Sequence, residues 1–317
     1  MRTPCAGKRR FGSLLLLFSL VIQAADAGLR MNGFEIGDDA LIPVSEIHAG
    51  GPDRDGIPAI DSPRFLPVSR AGEMEPDAPV LGLEMEGIAK AYPIAIMNWH
   101  EIVNDRFRDR PVVITYCPLC GSGVAYTASV SGLELSFGVS GLLYNSDVLL
   151  YDRQTGSLWS QMLSQAVSGP MRGTRLQMLP LRHTTWAGWL RQHPESLVLS
   201  RETGFSRDYD RDPYQGYMDE KGVWFPVAKK DPRYHPKERV IGLALGGRFK
   251  AYPLSELSRT QGRFQDRVAG RLVTVEFDRE SGSARIRDAQ GREIPTINAF
   301  WFAWYAFHPD TGVFQAP

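Results

Sequence analysis

One run of residues occurs twice in this chain, and it limits the fold more than any other feature. Val80-Leu-Gly-Leu-Glu-Met-Glu-Gly-Ile-Ala-Lys-Ala-Tyr-Pro93 aligns with Val240-Ile-Gly-Leu-Ala-Leu-Gly-Gly-Arg-Phe-Lys-Ala-Tyr-Pro253 at an offset of 160. Upstream, Leu66-Pro67-Val68 matches Phe225-Pro226-Val227, and downstream Arg110–Thr115 matches Arg271–Glu276. A later block recurs at an offset of 115, where Trp186, Trp189, His193 and Pro194 correspond to Trp301, Trp304, His308 and Pro309. Agreement this dense implies a tandem duplication. Copy A is expected over residues 62–200 and copy B over 222–315, with roughly 45 extra residues in copy A before the Trp186 helix.

Within each copy the pattern alternates short strands with short helices, so the expected class is α+β and β-rich. Glu86-Gly87 reads as a hairpin turn between strands Val80–Met85 and Ile88–Tyr92. Pro93 can open a helix, and Ile94, Met97, Ile102 and Val103 continue it as an apolar stripe. His100 and Asn104 then share a helix face. Strands are expected at Val112–Tyr116, Gly123–Ala128, Leu133–Val139, Asp147–Tyr151, Gly156–Gln161 and Leu197–Ser200. Thr184 or Thr185 caps a helix that ends before Pro194.

The first 27 residues are expected to be a secretory signal peptide. Arg2, Lys8, Arg9 and Arg10 form a basic start, Phe11–Ile22 an apolar stretch too short to span a bilayer, and Ala25-Asp26-Ala27 a cleavage site. The mature protein is expected to be periplasmic or secreted, with no transmembrane segment. Cleavage takes the formal charge from 0 to −3. No basic run remains, so nucleic-acid binding is not expected.

Cleavage also removes Cys5 and leaves Cys117 and Cys120 as the mature cysteines. In copy B their places are taken by Asp278 and Ser281, while Gly282 keeps the place of Gly121. A scaffold that does without the thiols in one copy points to chemistry where they survive. Strand, Cys-Pro-Leu-Cys-Gly, strand is the shape of a metal knuckle rather than a helix-opening redox pair. The metal ligands expected are Cys117, Cys120 and His100, with Met97, Met162 and Met171 as further donors. Two thiolates with a His or Met suit Cu(I) by softness, and Zn²⁺ with an open position also fits. No nucleotide cofactor is expected.

Three readings stay open. The pair binds a soft metal received from a donor. Or it is a thiol/disulfide oxidoreductase, with His100 or Glu101 carrying protons beside Cys117 and Cys120. Or the protein is a non-catalytic binding module for a small molecule, braced by a disulfide. In the extra segment Asn145 and Asp147 alternate along a strand edge and are expected to face a ligand cleft, together with Asp152, Arg153 and Gln161. Asp152-Arg153 ahead of Gln154-Thr155-Gly156 also reads simply as a hairpin turn. His183, His193 and His308 read as structural.

Five blocks then carry a resemblance: Asn98-Trp-His-Glu-Ile-Val-Asn-Asp105, Thr115-Tyr-Cys-Pro-Leu-Cys-Gly121, Ser140-Gly-Leu-Leu-Tyr-Asn-Ser-Asp147, Tyr151-Asp-Arg153 and Leu197-Val-Leu-Ser-Arg-Glu-Thr-Gly204. The chain resembles the bacterial domain-of-unknown-function family 3179 over nearly its whole mature length. The resemblance implies motif positions at His100, Glu101, Asn104, Asp105, Cys117, Cys120, Asn145, Asp152, Arg153 and Gln161. It implies no activity.

Overall fold

The structure is a computed structural model that describes residues 1, 28–72 and 74–317. The expected signal peptide therefore lies outside the described residues, Met1 apart. Among those described, strands dominate and the four α-helices are seven residues or shorter, so the class is α+β and β-rich. No helix is long and apolar enough to cross a membrane.

The two segments that share a sequence pattern share a local build. Pro79–Met85 pairs antiparallel with Ile88–Pro93, as Arg239–Leu245 pairs with Arg248–Pro253. Both hairpins close in two-residue turns with positive φ throughout, Glu86-Gly87 at 57° and 75° and Gly246-Gly247 at 59° and 73°. Two such residues make the mirror-image turn that matches strand twist. Leu197–Leu199 then runs parallel to Ile88–Pro93, as Gly312–Val313 runs parallel to Arg248–Pro253.

A tryptophan seals each unit. An added Cβ at Gly82 would sit 2.3 Å from the Trp189 ring, and one at Gly242 would sit 2.1 Å from Trp304. Only glycine allows that approach. Trp189 Nε1 donates to Ser196 Oγ at 2.8 Å and Trp304 Nε1 to Thr311 Oγ1 at 3.0 Å. His193 and His308 pack on these same rings, at centroid distances of 4.0 and 4.3 Å. Beneath each hairpin a lysine and a tyrosine meet one aspartate. Lys90 and Tyr92 hydrogen-bond Asp105, and Lys250 and Tyr252 hydrogen-bond Asp266.

One sheet runs through both halves. Its order is Gly312–Val313, Arg248–Pro253, Arg239–Leu245, Ile297–Phe300, Ser122–Thr127, Arg110–Cys117, Ile102–Phe107, with Met178–Leu179 also on Ser122–Thr127. The halves join at the pair Asn298↔Gly123. The extra segment supplies four strands, Gln165–Ser168, Leu158–Ser160, Asp147–Asp152 and Phe137–Tyr144, to a five-stranded sheet that Ile47–Ala49 completes. A single apolar core includes Phe137, Trp159 and Met162 from that sheet, Cys117, Cys120 and Tyr126 from the central one, and Phe300, Trp301 and Trp304 from the second half. Each fully buried large side chain contributes about 1.5–3 kcal/mol, so this core fixes the extra sheet against the cysteine turn.

The expectation of one helical segment through Asn98–Asp105 needs correction. The helix is Ile94–His100, and Glu101 ends it in the left-handed region at φ 59°. Ile102–Phe107 is a strand that pairs with Arg110–Cys117. The β-branched Ile102 and Val103 do better opposite Thr115 and Ile114 than in another helical turn. His100 and Asn104 therefore share no helix face. Asn104 instead bridges Asp61 and the backbone of Phe137.

Candidate metal centre

Strands Arg110–Cys117 and Ser122–Thr127 pair from Val112↔Thr127 to Cys117↔Ser122, so the cysteine turn caps a rigid hairpin. The counterpart turn in the second half has the same register, Asp278↔Ser283. Inside the first turn Cys120 N donates to Cys117 O at 3.2 Å and Gly121 N to Pro118 O at 3.3 Å. Gly121 has φ 57°, and a Cβ there would lie 2.7 Å from the Phe300 ring. Phe300 N donates to Cys120 O at 2.7 Å, so the second half holds the turn by its backbone.

The extra sheet brings a third acidic group. Tyr144↔Asp147 closes the hairpin Phe137–Asp152 around Asn145 and Ser146, at φ 50° and 66°. This turn is anchored by Asn145 Oδ1, which accepts Ala228 N at 2.7 Å. It places the Ser146 carbonyl 3.3 Å from Cys120 Sγ and 3.8 Å from Cys117 Sγ. It also places Asp147 at the thiols. One carboxylate oxygen of Asp147 and both sulfurs lie within 4.8 Å of one another, all on buried residues. Asp147 Oδ2 accepts Met162 N at 3.2 Å, while Oδ1 is buried without a nitrogen or oxygen partner, and the Cys120 and Cys117 thiols are the donors left to the carboxylate. Among the described residues Cys117 and Cys120 are free thiols, not joined to each other as a brace.

Burial outweighs hydrogen bonding across the cluster and favours its neutral forms. Burial pushes the Cys117 thiol up, against hydrogen bonds from the Cys120 thiol and backbone, and the charges of Asp147 and Glu101 push it further. Burial and the neighbouring Cys117 thiol raise Cys120 well above its ordinary value. Burial raises Asp147 to about 7, and burial together with Asp147 raises Glu101 to about 8. No cation among the described residues offsets this group. In the counterpart turn Asp278 instead pairs with Arg191 at 2.8 Å and accepts the Ser281 hydroxyl at 2.7 Å. Substitution there has produced a turn that is satisfied by its own neighbours.

His100 is not brought to the sulfurs as a ligand. Its Nδ1 lies 2.7 Å from Pro58 O and its Nε2 2.7 Å from Tyr209 Oη. A neutral ring donates to the carbonyl and accepts from the phenol, which leaves no free lone pair for a metal. Burial lowers its pKa and keeps it neutral. The side chain that does stand beside both sulfurs is Asp147, a residue expected in a ligand cleft.

The other expected cleft residues do not gather into one. Asp152 organises its own turn, accepting from Thr155 N and from Trp159 Nε1 at 2.6 and 2.9 Å. Arg153 pairs with Asp61 at 2.6 Å. Gln161 is fully buried and ties Ser122 Oγ to Thr115 Oγ1 behind the cysteine turn. Met162 donates its backbone N to Asp147 and packs in the same apolar core as the thiols, with Met171 against that core, whereas Met97 is buried in a different apolar cluster. What the sequence concealed is that a hairpin turn distant in the chain lands on the knuckle. The only trace of it was Asn145-Ser146 followed by a strand-edge aspartate.

A family model described as "Protein of unknown function (DUF3179)" matches residues 54–311. The chain belongs to this family. No curated protein and no solved structure matches it. The match takes in the cysteine turn, Asp147 and Glu101, so the cluster lies wholly within the family domain. It extends through both halves and across their joint at Asn298↔Gly123. The family carries no stated activity, which leaves the chemistry to the geometry.

Proposed function

We propose that the protein is an exported metal-binding protein in which Cys117, Cys120 and Asp147 hold a thiophilic divalent ion, Zn²⁺ foremost. The observation that carries this reading is a buried set of two thiols and a carboxylate within 4.8 Å of one another, in which one carboxylate oxygen has no nitrogen or oxygen partner and the weakly donating thiols are what it faces. A bound cation would satisfy that oxygen better than two weak thiol donors do. A fully ionised set carries three negative charges, of which Zn²⁺ offsets two and Cu(I) one. Zn²⁺ also takes thiolate and carboxylate together, whereas Cu(I) favours sulfur. Replacing His100 by Asp147 in the ligand set therefore moves the preference from copper to zinc. Three protein ligands leave a fourth position open, and Glu101 lies within electrostatic reach of it. The duplicated scaffold belongs to this reading as well: copy A carries the centre, and copy B walls it through Phe300.

Titrating the metal-free protein with Zn²⁺ against a competing chelator tests the assignment. One equivalent is expected to bind, and Asp147→Asn is expected to weaken it by roughly 10–100-fold. Full-strength binding in Cys117→Ser and Cys120→Ser would rule the reading out. A second reading has one observation behind it: the Cys117 and Cys120 sulfurs lie within 4.8 Å of each other. A dithiol that cycles to a disulfide, with Asp147 taking a proton, would show as two thiols lost together on mild oxidation and no retained metal.

A further inference from the structure

Pro118 and Gly121 of the cysteine turn, but neither thiol, line a cavity of about 970 Å³ between the two halves. Its walls are mostly apolar and aromatic, among them Ile94, Val198, Tyr214 and Phe300. A space of this size and lining suits a small organic ligand. Two polar groups in the wall lack partners. Arg239, at the start of strand Arg239–Leu245, makes no side-chain hydrogen bond or ion pair among the described residues, although a guanidinium stays charged. Thr184 Oγ1 is buried with no hydrogen-bond partner.

No carboxylate is bonded to that cation: Glu238, whose charge reaches it, accepts Ser255 N at 2.8 Å instead. Burial and Arg239 push His183 down to about 3, so the imidazole beside it is neutral. At the rim Glu202 pairs with Arg64 and Asp210 with Arg201, while Asp212 accepts the Asn98 amide. Glu75 and Asp77 are exposed to solvent. We propose that this cavity binds a small organic monocarboxylate with an apolar body, its carboxylate on Arg239 and accepting the Thr184 hydroxyl. Two further guanidiniums line the space, Arg201 paired with Asp210 and Arg211 exposed at the rim, so Arg239 is the unpaired one that is not exposed. The apolar walls bind the rest of the molecule. The proposal does not rest on the metal reading.

Calorimetric titration with phenylacetate, 2-phenylethanol and 2-phenylethylamine, before and after treatment with EDTA, tests it. Saturable binding of phenylacetate alone is expected, weakened about ten-fold or more by Arg239→Gln and less by Arg239→Lys. Thr184→Val is expected to weaken it about three-fold or more. Circular dichroism melts identify any variant that fails to fold. If Arg239→Gln is such a variant, the Lys and Val substitutions decide. No saturable binding of phenylacetate, equal binding of the alcohol or the amine, or undiminished affinity in the folded variants would overturn the proposal. Binding that survives EDTA while Cys120→Ser abolishes zinc uptake shows that the two sites stand separately. Binding lost with EDTA overturns their independence.

Discussion

A carboxyl group buried with only weak thiol donors for one oxygen is costly to maintain, and at Asp147 the cost depends on pH. Burial raises Asp147 from 3.8 to about 7 and Glu101 from 4.5 to about 8. Each group binds its proton more tightly folded than unfolded. Between about pH 4 and pH 8 the unfolded chain has released protons that the folded chain retains. Stability of the metal-free protein therefore falls as pH rises through that window. Asp147→Asn should flatten the fall, and saturating Zn²⁺ should reverse it, because the ion replaces the protons. Melting temperatures of the apo and zinc-loaded forms from pH 5 to 8 check the sign. A metal-free protein that gains stability toward pH 8 would contradict it. Glu101 adds a backbone term, since a residue with a Cβ at φ 59° is strained by about 1–2 kcal/mol. Glu101→Gly should raise the stability of the metal-free protein by about 1 kcal/mol in urea unfolding. A loss there would show that the carboxyl has a partner that outweighs the strain.

The hairpins and their sealing tryptophans were largely readable from sequence. Alternating apolar residues around Glu86-Gly87 and Gly246-Gly247, with Trp186 and Trp189 recurring as Trp301 and Trp304 at an offset of 115, point to the elements and their pairing. Glu101 was not readable, because a helical stripe and a β-branched strand coincide over Ile102 and Val103. A left-handed residue without glycine leaves no trace in composition. Asp147 stood out in the sequence as a cleft candidate, but its place beside the two sulfurs did not. Its neighbours at the thiols come from the packing of one sheet on another, which spacing along the chain does not encode. Arg239 and Thr184 were missed for the same reason. The paired glycines offer a test at this scale. Gly82→Ala and Gly242→Ala each force a methyl against a buried indole, at an expected cost of about 1–3 kcal/mol. Gly82→Ala should leave zinc affinity unchanged, since its tryptophan packs in a different apolar cluster from the thiols. Chemical denaturation and zinc titration of each variant separate the two effects.

Across the whole molecule, the joint between the halves sets how the chain unfolds. Backbone pairing there is slight, at Asn298↔Gly123 and from Phe300 N to Cys120 O. Side-chain burial is extensive, because Phe300, Trp301 and Trp304 share a core with Cys117, Tyr126 and Trp159. Arg182 and Glu293 add a mostly buried ion pair between the halves at 2.8 Å. Pulling the halves apart would expose that core while breaking few hydrogen bonds, so hydrophobic burial couples them. The expected outcome is one cooperative transition, with tryptophan fluorescence and far-ultraviolet circular dichroism coinciding in urea. Zinc bound at the cysteine turn should move that single transition as a unit, by about 2.7 kcal/mol when free ion stands at one hundred times its dissociation constant. Two separated transitions, with only the first responding to zinc, would mean that the halves fold independently and that Phe300 is a passive neighbour of the turn. A single transition that zinc shifts would mean that ligation at Cys117, Cys120 and Asp147 is felt by the second half, which has no thiols of its own.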